Sequence, residues 1–127
     1  MARSTMSAIR EVMSTVLVTV EPTATLAEAA TVMGQHHVGS ALVMEDGAFA
    51  GIFTERDLLR ALGSDFDAAH HSVSQWMTRN PSGVHPDADT AEALEMMLTH
   101  GFRHLPVLDG GEVVGVVSIR DLSRTLG

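Results

Sequence analysis

At 127 residues, 45% of them apolar and 19% charged, the chain is long enough for one domain with its own core and too apolar for intrinsic disorder. Aromatic residues make up only 4%, so the core is aliphatic, and the lack of Cys excludes a disulfide framework, a thiolate zinc site and a thiol nucleophile. Sixteen acidic side chains against eight Arg and no Lys leave a net charge of −8, which disfavours non-specific binding to nucleic acid.

In chain order, residues 1–13 carry Arg3, Arg10 and Glu11 without an apolar h-region, unlike a secretory signal. No later run approaches the ~18 apolar residues of a membrane span, so a cytoplasmic protein is expected. The β-branched stretch 16–20 reads as a short strand ahead of the turn Pro22-Thr23-Ala24-Thr25. Leu26, Ala29, Ala30 and Met33 recur at helical spacing. Thr25 can cap that helix with Glu28 completing a capping box, and Gly34 is a plausible stop. Segments 40–44 and 49–53 read as strands around Glu45-Asp46-Gly47, a hairpin signal. A second helix begins near Thr54 and runs through Leu58 and Leu62, and 63–74, with Asp65, Asp67, His70 and His71, reads as a linker.

From Met77 onward the pattern repeats. Placing Met13 on Met77 sets an offset of 64, at which Pro22 meets Pro86, Ala27-Glu28-Ala29 meets Ala91-Glu92-Ala93, and Met33 meets Met97. Gly51 falls on Gly115, Arg56-Asp57-Leu58 on Arg120-Asp121-Leu122, and Arg60, Leu62 and Gly63 on Arg124, Leu126 and Gly127. Such an ungapped match marks a tandem duplication. The second copy supplies Asp89 with Glu92 as an acidic first turn, Gly101 as a helix stop, strands at 105–108 and 113–117 around Asp109-Gly110-Gly111, and a last helix from Ser118. The predicted fold is α+β, a β-α-β-β-α unit used twice. Its boundaries are 8–64 for the first unit, 65–74 for the linker and 75–127 for the second.

Gly51-Ile52-Phe53-Thr54-Glu55-Arg56-Asp57 and Gly115-Val116-Val117-Ser118-Ile119-Arg120-Asp121 resemble the closing motif of a cystathionine-β-synthase (CBS) domain. Arg103-His104-Leu105-Pro106-Val107-Leu108-Asp109 resembles a strand of the same family, and Val12-Met13-Ser14 and Trp76-Met77-Thr78-Arg79-Asn80-Pro81 resemble its opening. The likeness spans residues 10–127 and implies a stand-alone pair of CBS domains, a Bateman module with a pseudo-two-fold and two clefts. By that resemblance the clefts take an adenine nucleotide (AMP, ADP or ATP) and regulate a partner that the sequence does not name. A homodimer is also implied, with Leu58, Leu59, Leu62, Met96 and Met97 to be buried.

The chemistry of these residues agrees. Asp57 and Asp121 each follow a hydroxyl residue by three positions at a strand-to-helix junction, where a carboxylate can accept from two ribose hydroxyls. Thr54 and Ser118 add hydroxyls beside the positive end of a helix, and Arg56 and Arg120 can reach phosphate. The alternative is that Thr54 and Ser118 are N-caps with Asp57 and Asp121 in capping-box positions, and one residue can serve both ends. The resemblance implies that Ser118 and Asp121 share a cleft with Val18, Ala24, Val38, Gly39 and Ser40, while Thr54 and Asp57 share one with Ser82, Ala88, Phe102, Arg103 and His104. Arg103-His104 stands where the first copy has Gly39-Ser40, so the clefts are expected to differ, the arginine-bearing one favouring phosphate.

The seven His yield no metal expectation: His36-His37 and His70-His71 are adjacent pairs, and Gly101 interrupts the spacing of His100 and His104. No nucleophile elbow, H-E-x-x-H or Walker loop is present, so catalysis is not expected, and the eight Met read as core and interface filling. The alternative function is a structural or interaction module whose clefts are empty or hold S-adenosylmethionine, an NAD-type dinucleotide or nucleic acid.

Overall fold

A computed structural model describes residues 7–126; Gly127, matched to Gly63 by the repeat, and the first six residues of the leading segment lie outside the described residues. The chain is mixed α and β. Its elements are β1 (Thr19–Val20), α1 (Leu26–His36), β2 (Ser40–Glu45), β3 (Ala48–Thr54), α2 (Glu55–Ser64), β4 (Thr78–Arg79), α3 (Thr90–His100), β5 (His104–Asp109), β6 (Glu112–Ser118) and α4 (Ile119–Leu126). Short 3-10 turns occupy Ile9–Glu11, Phe66–His70 and Val73–Gln75. Among the described residues no helix is long and apolar enough to cross a membrane.

Contacts divide the chain into a central unit, Val18–Pro81, and a second unit made of Met1–Leu17 and Ser82–Gly127. Each unit therefore takes its leading segment from the other repeat. In the central unit the strands run in the order β1-β2-β3-β4, with β1 parallel to β2 and the remaining pairs antiparallel. Ser40 stands opposite Thr54, and Gly51 lies between Val43 and Arg79. The second unit has the β5-β6 hairpin, flanked by bridges of Val84 to Val107 and Ser14 to Val116, which are the counterparts, 64 residues on or back, of Val20 with Val43 and of Thr78 with Ile52.

Apart from the fully buried Phe53, the cores are aliphatic, as the composition leads one to expect. Leu26, Ala29, Met33, Val43 and Phe53 fill the central unit with Ala68 and Val73, while Ile9, Ala93, Met97, Leu105, Val107, Val117 and Leu122 fill the other. Segment 63–74, expected as a linker, is thus structured and packed: Ala68 and Val73 are fully buried, and the Val73 N–H donates to the Ala24 carbonyl at 2.8 Å. The leading segment is fixed likewise, with Ile9 N–H on the Ala88 carbonyl at 2.8 Å and Arg10 paired with Asp87. That hydrogen bond from the Arg10 guanidinium holds the Asp87 carboxyl below the usual carboxylate range.

Local signals explain most element ends. Thr25 and Glu28 form the expected capping box, and Asp89 caps α3 through the Ala91 N–H. Asp46 and Gly47 take φ of 52° and 80°, and Gly110 and Gly111 take 62° and 88°, the left-handed pairs that a tight hairpin needs. One helix end differs from expectation. α1 passes through Gly34 and closes at His37, whose φ is 54°, with Val38 N–H reaching the Met33 carbonyl at 3.1 Å. Gly101, at φ 74°, occupies the same place in the second repeat. The end is set by the left-handed residue at His37, and Gly34 costs the helix interior too little to stop it.

Candidate functional site

Both candidate acids stand where the second strand of a hairpin runs into a helix. At the end of β3, Thr54 keeps extended backbone (φ −121°, ψ 165°) and caps α2. Its hydroxyl accepts from the Asp57 N–H at 3.3 Å, while Asp57 Oδ2 accepts from the Thr54 N–H at 2.9 Å and hydroxyl at 3.1 Å. Ser118 and Asp121 repeat the arrangement at the start of α4: the Ser118 N–H donates to Asp121 Oδ2 at 2.8 Å, and the Asp121 N–H to Ser118 Oγ at 3.1 Å. The capping roles considered from sequence are therefore present in both copies. They also fix each carboxylate at a helix N-terminus with one oxygen engaged.

The two acids differ in what holds the other oxygen. Asp57 is 7% exposed, and its Oδ1 accepts from Arg60 Nη2 at 3.1 Å. The Arg60 guanidinium lies 5.6 Å from the centre of the Trp76 ring. Trp76 Nε1 donates to His71 Nδ1 at 3.1 Å, and the rings stack at 6.2 Å and 14°. His71 Nε2 then meets Asp65 Oδ2 at 3.1 Å, so the imidazole is the tautomer with hydrogen on Nε2. Asp65 is held below its ordinary carboxylate value by the Asp67 N–H first and then, against the opposing effect of burial, by His71. Asp121 is half-buried and, among the described residues, makes no ion pair.

The remaining predicted residues settle within their own units. In the central unit Val18 is core, Ala24 is half-buried against that core, and Val38 is 38% exposed. The Gly39 carbonyl accepts the Glu55 N–H at 2.9 Å, and Ser40 is buried opposite Thr54, so this strand opening lies against the Thr54 turn. In the other unit the Arg103 carbonyl accepts the Ile119 N–H at 2.8 Å and His104 stands opposite Ser118. Phe102 stacks on His100 at 5.5 Å, Arg103 and Ser82 are exposed, and Ala88 is half-buried. Arg56 and Arg120 are exposed on the first turns of their helices.

Sequence reasoning missed Arg60, Trp76, His71 and Asp65 as a connected set. One signal was available: Arg60 is three residues after Asp57, a helix-neighbour spacing. Among the described residues no group of three or more His, Asp or Glu side chains is placed to hold a metal ion.

The family model for the CBS domain matches twice, over residues 9–64 and 73–127. The chain is 33% identical over 118 residues to the CBS domain-containing protein YhcV of Bacillus subtilis, covering 93% of this chain and 84% of that one. It is 40% identical over 121 residues to an uncharacterized 17.7 kDa protein of Acidianus ambivalens, covering 93% and 72%. The crystal structure of the CBS-domain containing protein ATU1752 from Agrobacterium tumefaciens superimposes with a TM-score of 0.87 at 32% identity, covering 94% and 93%. The CBS domain pair of protein MJ0100, solved with 5-methylthioadenosine and S-adenosyl-L-methionine, gives a TM-score of 0.87 at 25% identity, covering 96% and 97%.

Proposed function

Since the chain belongs to the CBS-domain family through both of its repeats, we propose that it is a ligand-sensing regulatory module that binds an adenine nucleotide and modulates a partner protein. The observation that carries this reading is the matched pair of turns, Thr54 to Asp57 and Ser118 to Asp121, each presenting a fixed carboxylate at a helix start. A carboxylate there accepts from ribose hydroxyls, and the positive end of the helix beside it favours a phosphate. The wider residue set inferred from the resemblance belongs to the same proposal, as do the repeat boundaries 8–64 and 75–127. A second reading, S-adenosyl or methylthioadenosine ligands, is favoured by what protein MJ0100 binds; it shares the ribose.

A thermal-unfolding panel of AMP, ADP, ATP, S-adenosylmethionine, methylthioadenosine and NAD tests this. A ligand at a hundredfold excess over its Kd adds roughly 2.7 kcal/mol, a midpoint rise of several degrees. AMP, ADP or ATP is expected to give that rise. A shift with the S-adenosyl compounds alone selects the second reading, and no shift with any of them removes the nucleotide proposal.

We also propose that the protein is a homodimer. Leu59 and Leu62 on α2 are 73% and 46% exposed, and Phe66 just beyond them is fully exposed, a stripe at helical spacing that a second copy would cover. Of the other residues expected at that face, Met97 is core, and Leu58 and Met96 pack partly against the cores. Light scattering at tens of micromolar is expected to report twice the 13.5 kDa chain mass. A monomer there, or a dimer that survives Leu59→Glu with Leu62→Glu, overturns the assignment to this face.

A further inference from the structure

We infer that Arg60 is a positioning residue for the Asp57 carboxylate, held in place by Trp76, His71 and Asp65. The inference rests on the ribose reading of Asp57. Thr54 uses Oδ2, so Oδ1 is the oxygen left to meet a ligand, and it is Oδ1 that Arg60 binds at 3.1 Å. A carboxylate oxygen accepts at two positions, so one remains on Oδ1 for a ribose hydroxyl while Arg60 fixes the plane of the group.

An isolated, half-exposed Asp–Arg pair three residues apart on a helix is worth little, because holding the long side chain costs entropy. Arg60 escapes that limit because it is anchored at its far face. Its guanidinium lies over the indole, the indole N–H is bonded to His71, and His71 is bonded to Asp65. The chain of contacts runs from the 65–76 segment to the candidate acid through four side chains, each with a named partner.

The second repeat supplies an internal control. It keeps the Asp-x-x-Arg spacing as Asp121 and Arg124, but Val12 stands at the place of Trp76 and Ser7 at that of His71. There, among the described residues, the Asp121–Arg124 ion pair is not made. The same two residues pair in one copy and not in the other, and the difference is the aromatic anchor. Asp57 thereby has both carboxylate oxygens held in advance, whereas Asp121 has only Oδ2 held, by the Ser118 N–H.

The test is calorimetric titration of AMP and of 2′-deoxy-AMP into the full-length wild type and into Arg60→Ala, Arg60→Lys, Trp76→Phe, Arg124→Ala and Asp57→Ala. At the site that Asp57→Ala removes, Arg60→Ala is expected to weaken AMP by about threefold to tenfold, the cost of immobilising one side chain. The deoxy ligand, with one fewer hydroxyl to present, should change little, so the ratio of the two affinities falls. Arg60→Lys should restore part of the ratio, Trp76→Phe should lower it partway by cutting the indole link to His71, and Arg124→Ala should leave it at the wild-type value. If Asp57→Ala leaves AMP binding intact, the ribose reading itself fails and the inference with it. If Asp57→Ala removes the site but Arg60→Ala leaves the ratio unchanged, or weakens both ligands equally, the ribose reading stands and the positioning role is overturned.

Discussion

Alanine at Gly51 should destabilise the central unit by about 3 kcal/mol, the upper range for overpacking a filled site, and lower its unfolding midpoint by roughly 10 °C or more. A Cβ built there overlaps the carbonyl oxygen of Thr78 and comes within 3.2 Å of Met77 Cε. Backbone in β4 cannot swing aside as a side chain can, and β4 is only two residues long, held to β3 through Gly51–Arg79 and Ile52–Thr78. Relief therefore means separating the strands. The equivalent Gly115→Ala should cost less, because the nearest atom is the Met13 thioether at 2.7 Å, which can rotate, leaving the Ser14 carbonyl at 2.9 Å as the rigid obstacle. Gly63→Ala, in open space near the end of α2, should be neutral or stabilising by up to about 1 kcal/mol. Urea denaturation of the three variants checks the order. Gly115→Ala costing more than Gly51→Ala, or Gly51→Ala matching the wild type, would show that β4 is not held against β3 as described.

The leading segments show where sequence reading reaches its limit. Local signals carry far: the Asp-Gly and Gly-Gly hairpins, the Thr25–Glu28 box and the Thr54 and Ser118 junctions need only neighbours in sequence, and all are read correctly from them. Ile9 and Val73 occupy matching places in the two repeats and both are fully buried, yet each sits in a short 3-10 turn with no periodic pattern around it. Their burial comes from the exchange of leading segments. Ile9 packs with Ala93 and Met97, and Val73 with Leu26 and Met33, partners that no local window contains. The Gly63 to Ser74 stretch looks like a linker for the same reason, since Asp65, Asp67 and two His outweigh Ala68 and Val73 in any composition count. Even so, the repeat held one unused clue. His37 falls on Gly101 at the 64-residue offset, which marks the true end of α1 and not Gly34. At the site the division is similar: Thr54 and Asp57 are legible as a spaced pair, while Trp76 and His71 join them only through tertiary packing.

The two candidate acids should respond unequally to the same substitution. Asp57→Ala removes the acceptor of the Thr54 N–H, the Thr54 hydroxyl and the Arg60 guanidinium, and it does so at a position 7% exposed. Losing a capping partner costs about 1 kcal/mol, and leaving polar groups without their acceptor in a shielded place adds about 1–2 kcal/mol more. Asp121→Ala loses one acceptor bond among the described residues, from the Ser118 N–H, because the bond from its own N–H to Ser118 Oγ belongs to the backbone and survives. Its cost should stay near 1 kcal/mol. Ligand binding should fall by about 1.5–3 kcal/mol in each variant, the worth of hydrogen bonds to a charged acceptor, which is roughly tenfold to a hundredfold in affinity. The losses should appear at different sites, so the double variant should weaken both. Denaturation curves and AMP calorimetry on the two single variants and the double separate stability from binding. Equal stability losses would contradict the difference in carboxylate anchoring. Full AMP binding in the double variant would leave the two carboxylates as helix caps alone, with the ligand, if any, held elsewhere.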